Sequence, residues 1–520
     1  MLWDPRYQAC IPVLTTGPEP RTKVNVIELF RQADQLTAVY GQTPGETVAV
    51  IEWLLGLAHA AGVRPTSHEG WKDWVEERHS LEQVAEWLEQ HPGCWNLFDR
   101  DEPLGQNAGL LGHLAQYGVG PAQLFLERAG DYNQHFDHHH LHHQAPVPAD
   151  EAFRAMLTQH VYAIGMRARI KAKDMGLPAA FTNLATCRLA ARIRVLAVMD
   201  RPDASVGDLI RLNLTPWERE SDPDSQGFNL TWTQRPRRTF ASAGIKEART
   251  PRSPADLHSI LGRSIALRPC PLPGGAVGVD RVLIAPGETL DVLPAAFVQD
   301  AVVDPQGRGF LKPSAQRELW REAHTLYAAV SDHDKDTDLY GRVAMLKKGH
   351  RVQLWAVGLL ATRGKLNTWV SDHFPYIPGR EGELRIAAEE GSSICEYVAS
   401  ALYRAAATAQ EIAYPNPKPA DKKAQIARFN AEREVWAGAG EPFHVLLEAV
   451  TRSTAPSFDA LAVFAAEIRE LAVVSLNARL DSLPSVGRGL QAKVRAQSRL
   501  QGLLDHPPHS ARHLKEPAHA

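Results

Sequence analysis

Hydrophobic and polar positions alternate in blocks that change character along the chain. Ala9-Cys10-Ile11-Pro12-Val13-Leu14 is a continuous apolar run closed by Gly17-Pro18 and Pro20, which predicts a short buried strand. Val24 to Phe30 then runs into a helix. A second helix, Gly45 to Ala61, follows Thr43-Pro44, a capping residue before a first-turn proline. Trp71 to Gln90 reads as one helix, with apolar positions at Trp71, Trp74, Val75, Val84, Trp87 and Leu88 and a stop at His91-Pro92-Gly93. From Gly130 to Pro148 the periodicity dissolves into a long polar loop. A helix resumes near Ala149, a second exposed loop covers 165–178, and 201–310 is a strand-and-loop region punctuated by Pro and Gly. One more helix is predicted over Pro313 to Ser331.

After Pro375-Tyr376-Ile377-Pro378-Gly379 the pattern becomes almost purely helical and Ala-rich, in four or five segments between Glu381 and Leu504. Leu461, Phe464, Ile468 and Leu471, spaced by three and four, form the stripe of a packed amphipathic helix. Tyr414-Pro415-Asn416-Pro417 and Ser482-Leu483-Pro484 separate segments, so this half reads as a helical bundle. The domain boundary falls at 378/379. His506 to Ala520 is rich in Pro and His and is expected to fray into a disordered tail.

Composition narrows the class. With 520 residues and 44% hydrophobic positions the chain can build more than one core. Fifty-seven basic groups face 60 acidic ones, which excludes a histone-like character but not a local basic face. Val161 to Cys270 holds eighteen Lys/Arg against ten Asp/Glu, a local +8, which leaves −11 for the rest of a chain whose total is −3. The five cysteines form no C-x-x-C pair and suit a reduced compartment as buried small hydrophobes. The start has no signal pattern and no stretch is long enough to span a bilayer, so a cytoplasmic location is expected.

Two segments carry candidate chemistry. His135, His138, His139, His140, His142 and His143 crowd the first loop, and imidazole is a common metal ligand. Asp137-His138-His139 is superficially the signature of metal-dependent phosphoesterases, so a metal-dependent phosphoesterase or nuclease is the alternative reading. The strand and further acidic ligands such a site requires are not found beside it, and a polar loop that happens to be His-rich is the simpler account. The second segment is basic: Arg167, Arg169, Lys171 and Lys173 alternate, and if the segment is extended all four face one way. Four like charges on one side repel unless an anion such as phosphate neutralises them. Arg235, Arg237 and Arg238 after Trp232, and a third region of Arg342 to Arg351 with Arg363 and Lys365, are further basic candidates, equally readable as surface. No phosphate-binding loop, nucleophile elbow or H-E-x-x-H motif occurs, and no catalytic, metal or cofactor residue is assigned.

Ordered blocks run across the chain: Ile11-Pro12-Val13 with Val26, Glu28-Leu29-Phe30; Trp95-Asn96-Leu97-Phe98 with Pro103-Leu104-Gly105-Gln106; Arg128 to His138; Pro216-Trp217-Glu218; Leu230-Thr231-Trp232 with Arg237-Arg238; Asp304-Pro305 with Trp320-Arg321; Gly358 to Trp369; Asp372 to Pro378; and Trp436 with Glu441-Pro442-Phe443 and Leu446-Leu447. Together these blocks resemble the CasA family, the large subunit of the type I-E CRISPR Cascade complex. Arg128 to His138 is the most specific of them, while Cys10 stands where the family usually has Trp.

The resemblance implies an α+β fold, with a mixed N-terminal domain with long loops over 1–378 and a C-terminal four-helix bundle over 379–505. It implies a DNA-binding and RNA-binding subunit, not an enzyme. Its partners would be the other Cascade subunits, the CRISPR guide RNA, double-stranded target DNA and an effector helicase-nuclease or another downstream effector, with no membrane involved. Asn133, Phe136, Asp137 and His138 would lie on the loop that docks near the 5′ end of the guide. Recognition of the protospacer-adjacent motif (PAM) would fall to the segment at Gly165–Gly176, to Arg308 or Lys312, and to the stretch Arg363-Gly364-Lys365.

Two departures stand out. The family's PAM-facing loop is glycine-rich, whereas Arg167, Arg169, Lys171 and Lys173 occupy it here. A glutamine wedge found in some members aligns best with Gly364. A basic loop favours phosphate contact and minor-groove shape over base identity, so relaxed PAM stringency and steep salt dependence are expected.

Overall fold

The computed structural model describes residues 1–16, 20–128, 145–175, 183–218, 227–232, 248–304, 309–314, 317–331, 338–362, 365–416, 418–452 and 457–515. Its elements run β1 (Ile11–Thr15), β2 (Arg21–Val24), α1 (Val26–Arg31), β3 (Leu36–Val39), α2 (Pro44–Ala60), α3 (His68–Glu76), α4 (Glu82–Gln90), α5 (Leu114–Tyr117), β4 (Val147–Pro148), α6 (Ala149–Tyr162), β5 (Met166–Arg167), β6 (Asn183–Leu184), β7 (Arg194–Met199), α7 (Val206–Asn213) and α8 (Pro254–His258). Then follow β8 (Arg263–Pro271), β9 (Val277–Pro286), α9 (Ala323–Ser331), α10 (Leu339–Ala344), β10 (Val352–Thr362), β11 (Lys365–Tyr376), α11 (Glu381–Ala413), α12 (Pro419–Phe429), α13 (Glu432–Arg452), α14 (Ser457–Leu480) and α15 (Gly487–Asp505). The chain divides into two compact units, 1–318 with 333–373, and 319–332 with 374–520. The α+β class holds, with small sheets and helices in the first unit and helices in the second.

Three small sheets and a two-stranded ribbon organise the first unit, in the orders β2-β1-β3, β11-β10-β7, β4-β9-β8 and β5-β6. The apolar run read from sequence is β1, central in its sheet, with Ile11 opposite Val24 and Val13 opposite Val39. Asn25 then starts α1 through a reciprocal capping box with Glu28.

Helix α2 is the centre of this unit. Thr43 caps it by accepting from the Glu46 amide, and every residue from Gly45 to His59 is buried. A helix covered on all sides needs close neighbours, and its glycines provide them. A Cβ on Gly45 would lie 2.0 Å from the Trp369 ring, and one on Gly56 would lie 2.8 Å from the Cβ of His258. On another face Trp53 meets Trp95, Phe153 and Phe228 in edge-to-face contacts. The fully buried Glu52 sits mid-helix. Burial works to raise its pKa, but Arg188, Arg194 and His258 overcome this and hold the carboxyl well below the usual range.

Several expectations change. Trp71 to Gln90 is two helices, because Arg78 adopts a left-handed φ of 50° and carries its guanidinium to Asp203 and Asp208. The basic surplus of Val161–Cys270 is in good part interior. Arg192, Arg194, Arg211 and Arg263 are buried and only 7% of the Arg188 side chain is exposed; all are matched mainly by acids or carbonyls from other parts of the unit. The third basic region is also reduced, since Arg342 is buried, Arg351 pairs with Asp200 at 3.0 Å and Lys347 with Glu76 at 2.8 Å. Cys10, Cys187 and Cys395 are buried thiols, whereas Cys94 and Cys270 are half-buried.

In the second unit the four long helices α11, α13, α14 and α15 form a bundle, with α9 and α12 also packed against α11. Leu461, Phe464 and Ile468 are buried along α14 as their spacing predicts, and Leu471 packs on Gly438 of α13. Pro442 lies inside α13, where it cannot donate to the Gly438 carbonyl. The helix expected over Pro313–Ser331 forms only from Ala323, after a 3-10 turn, and belongs with this unit: Trp320 packs at a tilt against Phe443 and Trp436, with ring centroids 4.9 and 5.8 Å apart. The tail is ordered further than its composition predicts. His509–Leu514 forms a 3-10 turn, Ala511 and Leu514 are buried, and Arg512 and His513 pair with Glu390. Among the described residues no helix is long and apolar enough to cross a membrane.

Glu52→Gln removes the charge that Arg188 and Arg194 need. It should destabilise the protein by about 3–5 kcal/mol, read as a lower urea midpoint with an unchanged slope.

Candidate nucleic-acid interface

The basic segment does not form the extended strand that would align four charges. Only Met166–Arg167 is strand, paired with Asn183–Leu184. Ile170 then turns inward and is fully buried in a small apolar cluster with Leu110, Leu114, Ala266, Leu283 and Ala285. A 3-10 turn follows at Ala172–Met175, where the Tyr117 hydroxyl donates to Asp174. These two anchors, one apolar and one polar, fix the segment while Arg167, Lys171 and Lys173 stay exposed and Arg169 is half-buried. Extended backbone stops after Arg167, with a bend at Arg169–Ile170 and then the 3-10 turn, although Ala168 and Ile170 still face inward between the basic residues, as alternation predicts.

Lys312 is exposed on a strip tied to the unit by its backbone. Leu311 donates to the Val302 carbonyl at 2.8 Å and accepts from the Ile193 amide at 3.1 Å. Lys365 opens β11. Asn133, Phe136, Asp137, His138, Arg308, Arg363 and Gly364 lie outside the described residues, as do the remaining loop histidines and Arg235, Arg237 and Arg238. The structure therefore brings Arg167, Arg169, Lys171 and Lys173 together on one anchored turn and places Lys312 on a separate strip. Among the described residues no group of three or more His, Cys, Asp or Glu could hold a metal.

A buried polar cluster escaped the sequence reading. Glu52 Oε1 accepts from Arg194 Nε at 2.8 Å, and Glu52 Oε2 is paired with Arg188 and with His258 Nδ1. Arg194 also reaches Asp300 at 3.0 Å, and Arg192 holds the same carboxylate from both oxygens. His258 stacks on His59, whose ring nitrogens have no hydrogen-bond partner among the described residues. Burial first, then Arg64 and Arg342 with His258, keep the His59 pKa well below its ordinary value. The available signal was the polar Glu52 and His59 on an otherwise apolar helix.

The sequence matches the family of CRISPR-associated protein Cse1 over residues 7–474. The chain belongs to the Cse1 family. This is the family of type I-E Cascade large subunits that the ordered sequence blocks resemble. CasA of Thermus thermophilus has the same fold, with a TM-score of 0.74 at 17% identity over 98% of this chain and 100% of that one. Cse1 of Thermobifida fusca gives 0.72 at 17%, over 98% and 97%. A chain of a solved CRISPR RNA-guided surveillance complex gives 0.67 at 15%, over 96% and 99%. No curated protein matches the sequence.

The residues that carry the Cse1 resemblance are largely packing residues. Ile11, Val13, Leu29, Phe30, Trp95, Leu97, Leu230, Trp320, Phe443 and Leu447 are buried. Gln106 is a buried tie: its amide donates to the Leu97 carbonyl, and its side-chain oxygen accepts from the Leu267 amide at 2.8 Å.

Ile170→Ala should cost about 2–5 kcal/mol, whereas Lys171→Ala and Lys173→Ala should stay within about 0.5 kcal/mol of the parent in chemical denaturation. His59 is held neutral, so its folded pKa lies below its unfolded one. The stability it contributes is complete above pH ~6.5 and is lost as pH falls below that. His59→Phe should flatten the decline in melting temperature between pH 7 and 5.

Proposed function

We propose that the chain works as the large subunit of a type I-E Cascade complex, assembled with the other Cascade subunits around a guide RNA. Membership of the Cse1 family along nine-tenths of the sequence is the observation that carries this reading, and the likeness to a chain of a CRISPR RNA-guided surveillance complex supports it. In this reading the loop with Asn133, Phe136, Asp137 and His138 meets the 5′ end of the guide. Arg167, Arg169, Lys171, Lys173, Arg308, Lys312 and the stretch Arg363-Gly364-Lys365 face the duplex beside the target. The subunit reads the PAM, assists duplex opening and recruits a helicase-nuclease or another effector. Base pairing with the guide reads the target sequence itself.

The exposed charges of Arg167, Lys171 and Lys173 on an anchored turn suit contact with backbone phosphates, which positions a protein on DNA without selecting bases. The test is duplex binding by the reconstituted complex, with varied flanking sequence, between 50 and 200 mM salt. Replacing Arg167, Lys171 and Lys173 by Ala should weaken binding to all flanks alike and reduce the slope of log affinity against log salt by about 0.9 for each phosphate that is no longer neutralised. An unchanged slope removes this segment from the interface. A single strict trinucleotide in a PAM-library depletion excludes relaxed reading. A stoichiometric metal with nuclease activity lost on replacing His138 and His139 replaces the proposal with the phosphoesterase reading.

A further inference from the structure

The cluster around Glu52 lines a polar pocket of about 30 Å3, close to the volume of one water molecule in the liquid. Its wall includes Glu52, Arg188, Arg194, His258, Asp300 and Arg342. Two of these present donors without acceptors: the Nε–H groups of Arg188 and Arg342 are buried and meet no hydrogen-bond partner among the described residues. Buried donors are almost always satisfied, and those the chain leaves open are met by a water or an ion.

Charge decides between the two. The carboxylates on the wall are already engaged. Glu52 is taken by Arg194, Arg188 and His258, and Asp300 by Arg192 and Arg194. Arg342 is left with a neutral acceptor, the Gln299 side-chain oxygen, to which its Nη1 donates. Among the described residues the wall thus carries three guanidinium groups, those of Arg188, Arg194 and Arg342, against two carboxylates. Arg192 adds a fourth positive charge behind Asp300, and Asp338 acts on Arg342 from beyond the wall. A buried guanidinium without a counter-charge is the costly arrangement in a protein interior, and burial pushes the Arg342 pKa down to about 9. Water would satisfy the two donors but leave the charge. A monatomic anion satisfies both, because it accepts from any direction and fits the volume, which phosphate and sulfate exceed.

We propose that this cavity binds a halide, chloride under cellular conditions, between the Nε–H groups of Arg188 and Arg342. The bound ion completes the neutralisation of the core of the first unit. It is a structural ligand, separate from any nucleic-acid surface and independent of the Cascade reading.

The test uses the full-length protein at constant ionic strength, with chloride or bromide exchanged stepwise for gluconate, which is too large for the cavity. The melting temperature should rise with the logarithm of halide concentration, by about 2 °C per tenfold increase above the dissociation constant. Excluded kosmotropic anions stabilise proteins generally, so a higher melting temperature in bromide than in gluconate runs against the non-specific trend. Arg342→Gln should abolish the halide increment whatever its own melting temperature. Crystals grown in bromide should show an anomalous peak within hydrogen-bond reach of both Nε atoms, which decides the question even where the variant fails to fold. Equal melting in halide and gluconate, or a cavity without a bromide peak, means water only and overturns the proposal. So does a halide increment that survives in both Arg342→Gln and Arg188→Gln.

Discussion

A carboxylate in the middle of a helix that is buried on every side has to be neutralised from outside that helix, and the first unit is arranged around this requirement. Glu52 draws Arg188 from the turn before β7, Arg194 from β7 itself and His258 from the end of α8. Arg194 passes the connection to Asp300, and Arg192 closes it. One buried charge thereby ties together segments that are distant in sequence. Removing either partner leaves an uncompensated ion, so the network favours one arrangement of these segments more strongly than apolar packing would.

The same network reassigns charge. A local surplus of +8 between Val161 and Cys270 suggests a basic face, yet five of its arginines are interior. Among the described residues, Arg167, Lys171 and Lys173 keep exposed charge close together, displayed around the buried Ile170. Net charge along a sequence window cannot separate these uses, because a guanidinium looks the same whether it faces phosphate or an internal carboxylate.

In the second unit the bundle is held by close helix contact. Gly391 of α11 lies against Phe443 and Leu446, and Gly438 of α13 against Leu471. Arg321 sits 3.4 Å from the centre of the Trp436 ring while Trp320 packs at a tilt against Phe443. Sequence blocks more than a hundred residues apart thus meet in one aromatic cluster. That explains why the family is recognisable along nearly the whole chain although its relatives are so divergent: the shared residues make the scaffold, and the exposed segments are free to differ.

Periodicity alone determined the strand at Ile11, the capped helix after Thr43 and the helical C-terminal half, because each depends on local pattern and on capping or turn residues close in sequence; the α+β class came with the family resemblance. The ordered blocks determined the family too, and many of their residues, such as Ile11, Phe30, Trp95 and Phe443, are core positions. Tertiary structure alone decided the rest. It broke the Trp71–Gln90 helix at Arg78 to reach Asp203 and Asp208, joined Trp320 to the bundle, and tied the tail to Glu390. It also broke an apparent strand of four basic residues with a bend and the 3-10 turn at Ala172–Met175, anchored by Ile170 and by the Tyr117–Asp174 hydrogen bond. These outcomes rest on contacts between residues far apart in the chain, and no local pattern encodes which partner a buried arginine or an inward-turning isoleucine will find.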